Sequence, residues 1–408
     1  MNAPGGFLSA GVSAGLRASG NGRADLALVH CPGGAVAAGT FTQNMVAAAP
    51  VQYCRRVLAA RAADGGPVHA VLVNAGQANA ATGAAGLADA EAAAGRVAEA
   101  LGTDPGAVLL ESTGVIGQRI KMEGLLAGVP AAAAALGAAP ADAARAAAAI
   151  TTTDLVTKAA ALEVEVGRRT FRVGGMAKGS GMIHPNMATM LGVVTCDAPV
   201  APPLWRRILK EAVTNSFNQI TVDGDTSTND TVLALASGHA GGPVIEDAGS
   251  AEARALQGAV TALCQACAKA IAYDGEGATM LLEVQVEGAN FQDAALAIAK
   301  SVAGSQLVKA ALFGCDPNWG RIACAAGYAG AQFAQDQLDI WLGETHLLER
   351  GQPVAFDAAQ ASAYLRETQE RHGTVEVRVR VGAGPGAAQA WGCDLSYDYV
   401  KINAEYTT

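Results

Sequence analysis

From Ala24 to Val51 the chain alternates short apolar runs with Gly, Pro and Asn, a pattern that predicts strands joined by turns. "HAVLVNAGQANAATG" follows as a buried strand ending in a polar, glycine-bearing loop from Asn74 to Gly83. Next, "AGLADAEAAAGRVAEALG" places apolar residues at helical spacing and stops at Gly102. Strand, loop and helix in succession are an α/β rhythm. "VLLESTGVI", Val108 to Ile116, predicts a strand that breaks into a turn at Thr113-Gly114. The alanine-rich stretch from Ala131 to Ile150 predicts helix interrupted at Gly137 and Pro140. Alternation between Ala161 and Val173 predicts a hairpin leading into the glycine-rich "GGMAKGSGM".

Farther on, Leu204, Ile208, Ala212 and Phe217 mark a helix, and "TVDGDTSTNDTVLALASG" reads as a polar loop feeding a strand. A helix from Ala251 to Ala272 then meets "YDGEGATMLLEVQVEG", a glycine-rich turn and an alternating strand. Helices and strands in unequal runs predict a mixed α/β (α+β) sandwich rather than a regularly wound parallel sheet. From Asn290 the rhythm restarts, through a turn at "CDPNWGRI", a helix at "DAAQASAYLRETQER" and a strand at "GTVEVRVRVGAG", which predicts a smaller α/β domain. The expected division is 1–285 for the larger domain, 286–395 for the smaller and 396–408 for the tail. Leu395, Tyr397, Tyr399 and Val400 offer apolar surface for packing, so the tail is expected to be ordered.

The chain has 408 residues, 51% hydrophobic and 16% charged, which fits a folded protein with a sizeable core. The net charge of -9 and scattered basic residues argue against a nucleic-acid or anionic-membrane surface and favour a small-molecule ligand. Polar residues, glycines and charges interrupt every candidate membrane span, and the N-terminal stretch lacks the pattern of a signal peptide. A cytoplasmic setting is expected, with the eight dispersed cysteines reduced. Cys264 and Cys267 form a CxxC inside a helical pattern, with no second CxxC or nearby His to complete a zinc set. The six histidines are likewise isolated, so no metal is expected. The "GAGPGA" at 382–387 reads as a turn, and the glycine and lysine spacing of "GGMAKGSGM" is not that of a phosphate-binding loop.

The chemistry concentrates in "HPNMATMLGVVTCDA", where the small Ala188 precedes Thr189 and a strand-like run follows. A threonine hydroxyl can attack the preceding carbonyl when the backbone is strained and that carbonyl is polarised. Cleavage then exposes an α-amine whose pKa is about 8 in model peptides, so it can serve as base for its own hydroxyl. Most such Ala-Thr pairs are simply packed, and the junction alone leaves both readings open.

The junction recurs with "NAGQANAATG", "ESTGVIG", "TTDLVTK", "DGEGATM", "DPNWGRI" and "YDYVKINAEYTT", in that relation along essentially the whole chain. The set resembles the ornithine acetyltransferase family of arginine biosynthesis. The resemblance implies an αββα-type sandwich with an N-terminal-nucleophile-like site, and cleavage between Ala188 and Thr189 into an α chain (1–188) and a β chain (189–408). It implies that Thr189 takes acetyl from N2-acetylornithine and passes it to glutamate, with Thr113 and Gly114 as the oxyanion donors. Thr153, Lys178, Glu276, Asn403 and Thr408, together with Thr189, match the substrate-binding positions. "TTDLVTK" departs from the family at Leu155 to Thr157, where relatives often carry an aromatic residue and a proline, but keeps Thr153 and Asp154. No cofactor is implied, although some members use acetyl-CoA as a second acetyl donor, and the family suggests a tetramer of two α and two β chains. Two other readings are open at this point: a self-processing aminopeptidase or amidase, with water as acceptor, and a non-enzymatic binding protein whose Ala188-Thr189 junction is only structural.

Overall fold

The computed structural model describes residues 1–17, 22–184 and 190–405. The chain opens with strands β1 (Leu8–Val12) and β2 (Leu26–Phe41), helix α1 (Ala49–Asp64), strand β3 (Val68–Gln77), helix α2 (Gly83–Leu101) and strand β4 (Val108–Val115). Helices α3 (Met122–Ala134) and α4 (Pro140–Ala149) follow, then the hairpin β5 (Lys158–Val166) and β6 (Arg169–Lys178). Strand β7 (Leu191–Cys196), helix α5 (Pro202–Thr214), strand β8 (Thr231–Ala236) and helix α6 (Ala251–Tyr273) complete the larger part.

The expected strands and turns between Ala24 and Val51 are instead one 16-residue strand, β2, followed by the start of α1. Its register shifts between His30 and Ala35, around Pro32, which has no N–H to give to a ladder. Before the shift β2 pairs with β1 and β3; after it Ala35 still meets Val68 of β3, and from Val36 onward β2 pairs with β8. The strand order is β4-β3-β2-β8-β7-β6-β5. At about 4.8 Å per strand, a flat sheet would hold β4 and β7 roughly 19 Å apart. Yet the Glu111 carboxyl of β4 lies against the Gly192 amide of β7, so the sheet folds over at β2 and its two halves stack.

Leu28, Val71 and Leu109 from one half share a core with Leu191, Val193 and Leu233 from the other. The opposite faces of β7 and β8, with Val194, Cys196, Val232 and Ala234, pack on Trp205 and Ile208 of α5 and Leu256 and Val260 of α6. Both faces of β8 are therefore buried, which explains its unbroken apolar run from Val232 to Ala236. Helices α1 to α4 pack on β1, β2 and β4, giving the two sheet layers a helical cover on each side.

The remainder contains β9 (Leu281–Ala289), α7 (Gln292–Gly304), α8 (Gln306–Phe313), α9 (Trp319–Gly327), β10 (Asp339–Leu342), β11 (Thr345–Glu349) and β12 (Gln352–Pro353). Helix α10 (Ala358–Glu370), strands β13 (Thr374–Arg380) and β14 (Gly386–Cys393) and helix α11 (Tyr397–Glu405) end the described chain. These strands form a second sheet, ordered β12-β11-β10-β13-β9-β14, with α7 packed on β9 and β14. The fold is thus mixed α/β with two sheets. Strand β9 runs across the 285/286 boundary expected from the sequence. Helix α6 is long and apolar enough by composition to cross a membrane, but it packs on β5, β6, β9 and β14 and buries Cys264 and Cys267.

Three local expectations are corrected. Thr113 and Gly114 lie within β4, paired with Ala75 and Gly76 of β3, rather than in a turn after it. The "WGRI" of the expected turn is the first turn of α9, because the Asn318 side chain accepts from the Arg321 N–H and caps the helix. In the C-terminal segment Tyr397 is 83% exposed and Val400 63%, so α11 is helical without the burial expected of those residues.

Candidate active site

The parallel pairing of β3 with β4 carries Thr113 and Gly114 to one wall of a cavity of about 130 Å³. Gly114 has φ +128°, and a Cβ there would stand 2.3 Å from the Gly76 carbonyl carbon, so close backbone approach demands glycine. Strand β6 ends at Lys178, which reaches the same cavity. Its Nζ donates to Thr113 Oγ1 at 3.2 Å and to Thr152 Oγ1 at 2.8 Å. Because the Thr113 oxygen accepts this bond, its own hydrogen is left to point elsewhere. Lys178 is only 8% exposed. Burial pulls its pKa down, opposed by the negative charge of Asp154.

The loop carrying Thr152 and Thr153 is tied down by a buried ionic cluster. Lys158 Nζ donates to Asp154 Oδ1 at 2.6 Å and to the Asp274 carboxylate. Asp154 also accepts from the Thr152 and Gly179 N–H groups at 2.8 Å each, and Asp274 accepts from Leu155 N at 3.0 Å. Burial alone would push the Asp154 carboxyl up, but Lys178, Lys158 and these bonds hold it well below the usual carboxylate range. The cluster thereby fixes the strand end at Gly179 and the threonine loop against each other.

Glu276, in the turn between α6 and β9, is 9% exposed and accepts from Asn403 Nδ2 of α11 at 2.9 Å. Its amide donates to Ser180 O at 3.0 Å. A Cβ on Gly181 would lie 2.3 Å from the Glu276 carboxylate, so glycine at 181 leaves that carboxylate its place. On composition and position Lys178 and Glu276 read as solvated loop charges; the fold buries both.

The loop before β8 closes another side. Asn229 Nδ2 donates to Ala78 O at 2.6 Å and Ser112 O at 2.8 Å, joining this loop to β3 and β4. Ser227 and Asp230 line the cavity with it, as does Met190 at the start of β7. His184, just before the junction, is held by Thr221 Oγ1 at 3.0 Å. Burial, with Lys300 nearby, pulls its pKa down to about 4, so its ring is neutral near pH 7.

Thus Thr113, Gly114, Thr153, Lys178, Glu276 and Asn403, scattered over almost three hundred positions, line one cavity. Ala188, Thr189 and Thr408 lie outside the described residues, but Met190, the residue after Thr189, is on the wall. Thr152, Ser227, Asn229 and Asp230 were not singled out from the sequence. The available signal was the cluster "STND", polar residues with a carboxylate placed directly before a strand whose run after Thr231 is apolar.

The ArgJ family model matches residues 8–408. The chain belongs to the ArgJ family. A chloroplastic arginine biosynthesis bifunctional protein of Physcomitrium patens is 60% identical over 403 residues, covering 99% of this chain and 76% of that protein. A second relative, the arginine biosynthesis bifunctional protein ArgJ 1 of a Nostoc species, is 56% identical over 412 residues and covers 100% and 98%. Among solved structures, ornithine acetyltransferase of Mycobacterium tuberculosis, complexed with ornithine, has 45% identity and a TM-score of 0.42, with 46% of this chain and 95% of that chain covered. Family membership makes the chain an acetyltransferase of arginine biosynthesis.

Proposed function

We propose that the protein cleaves itself between Ala188 and Thr189 and then moves acetyl from N2-acetyl-L-ornithine to L-glutamate through an acetyl-Thr189 ester. The observation that carries this reading is the convergence of Thr113, Lys178, Glu276 and Asn403 on a cavity whose wall includes Met190. In the cleavage, the Thr189 hydroxyl attacks the Ala188 carbonyl. The peptide C–N bond breaks, and water hydrolyses the resulting ester to leave a carboxylate on Ala188 and a free amine on Thr189.

In turnover, that amine takes the hydroxyl proton as the oxygen attacks the acetyl carbonyl of acetylornithine. The Thr113 hydroxyl and the Gly114 N–H stabilise the tetrahedral oxyanion; losing such a donor typically costs about two to three orders of magnitude in rate. Collapse breaks the acetyl C–N bond, the proton goes to the departing ornithine amine, and the glutamate amine then takes the acetyl group by the reverse sequence. Thr153 and Lys178 are assigned to the substrate carboxylate, Glu276 to the ornithine side-chain ammonium, and Asn403 and Thr408 to further substrate contacts. The exchange needs no cofactor; acetyl-CoA would be the donor in the second activity implied by the relatives' bifunctional naming. The assembly is assigned as two α and two β chains in the cytoplasm.

Intact-mass spectrometry under denaturing conditions tests the reading. Wild type should give fragments 1–188 and 189–408, and acetylornithine without glutamate should leave one acetyl group on the second fragment and release one equivalent of ornithine. A stable uncut chain would refute the nucleophile, and rapid acetate release without glutamate would favour a hydrolase instead.

A further inference from the structure

Asp230 is 2% exposed and lines the cavity, yet its Oδ2 has no hydrogen-bond partner among the described residues. A buried carboxyl oxygen left this way is costly unless a ligand or reacting group supplies the donor. The backbone shows which segment lies beside it. Thr231 N donates to Met190 O at 2.9 Å, and Leu191 pairs with Thr231 in the parallel ladder of β7 and β8. The start of β7 is therefore fastened beside Asp230, and Thr189 directly precedes Met190 in the chain. Before cleavage the Thr189 nitrogen is an uncharged amide with a single N–H; cleavage turns it into an amine with further N–H donors and a capacity for positive charge.

We propose that Asp230 is the positioning residue for the Thr189 α-amine: its free Oδ2 accepts from that amine and aims the amine lone pair at the Thr189 hydroxyl. This rests on the reading of Thr189 as an N-terminal nucleophile. When the amine takes the hydroxyl proton, the Asp230 carboxylate stabilises the ammonium until the proton passes to the leaving group; Asp230 itself neither gains nor loses a proton. Burial pushes the Asp230 carboxyl well above its ordinary range, against the Ser227 bonds and the Lys178 charge. The charged side chains sharing the cavity with it are Lys178 at the end of β6 and Glu276 between α6 and β9. A new ammonium at its free oxygen would bring the carboxyl back to its charged form, and the carboxylate in turn would raise the pKa of the amine.

The test is the pH profile of kcat/KM for acetylornithine, measured on fully cleaved wild type and Asp230→Asn. The variant is expected to lose about a hundredfold in kcat, within the range for a displaced catalytic base. Its acid limb should move to lower pH by about one unit, because the amine loses a neighbouring negative charge. Asp230→Glu, which keeps the carboxylate, is run in parallel and should recover the wild-type limb; it also serves if Asp230→Asn stays uncut. An unchanged acid limb in Asp230→Asn, or a rise in KM alone, would overturn the proposal, as would failure of Asp230→Glu to recover the limb. A wild-type chain uncut at 188/189 would refute the nucleophile reading instead, before Asp230 is tested at all.

Discussion

Glu111 stands between the two stacked sheet halves with both carboxylate oxygens lacking a hydrogen bond among the described residues. Burial pushes its pKa well above the ordinary value, the Gly192 amide opposing only in part. A carboxyl whose folded pKa is raised binds its proton more tightly in the native state. Its contribution is therefore fully present below the unfolded value of about 4.3 and is lost as pH rises through the folded value. Glu111→Gln keeps the shape and removes that loss, so it should raise Tm at pH 8 more than at pH 5, by about 1 kcal/mol or more of stability at the higher pH. Thermal melts followed by circular dichroism at the two pH values check this; equal shifts would show that the carboxyl is not the source.

At the scale of elements, α11 unites a contact at the cavity with little packing. Asn403 reaches the Glu276 carboxylate from it, yet none of its residues is buried. Its start is held where Ser396 Oγ donates to Gly277 O, in the turn that also carries Glu276. Removing residues 397–408 should therefore leave the melting temperature within about 2 °C. The same truncation should lower kcat/KM for acetylornithine about tenfold to a hundredfold, the loss expected when a charged substrate group loses a hydrogen-bonded partner. Steady-state kinetics beside a melt distinguish this from unfolding, since a large drop in Tm would mean that α11 supports the core.

For the whole molecule, the sheet order has a mechanical consequence. Strands β7 and β8 lie between β2 and β6. The outer pair precede residue 188 and the inner pair follow residue 189, so a cut at that bond leaves each fragment hydrogen-bonded to the other through two ladders. The shared core of β2 to β4 with β7 and β8 adds apolar burial to those ladders. The fragments should co-elute in size-exclusion chromatography under native conditions and separate only in denaturant. Release of either fragment in native buffer would contradict this arrangement.

By itself the sequence determined the order and type of most elements, because their apolar periodicity is local: α2 with its stop at Gly102, the β5–β6 hairpin, α6, α10 and β13 all follow from spacing within one segment. The family resemblance carried by its short motifs also named Thr113, Gly114, Thr153, Lys178, Glu276 and Asn403, which line one cavity. Only the tertiary structure decided that Lys178 and Glu276 are buried, since burial depends on what packs around a charge. It alone showed that β2 is one bent strand stacking the sheet on itself, and that Thr152, Asn229 and Asp230 face the same space. Those facts rest on contacts between segments far apart in the chain, and no local pattern of apolar and polar positions encodes which distant segment will be the neighbour.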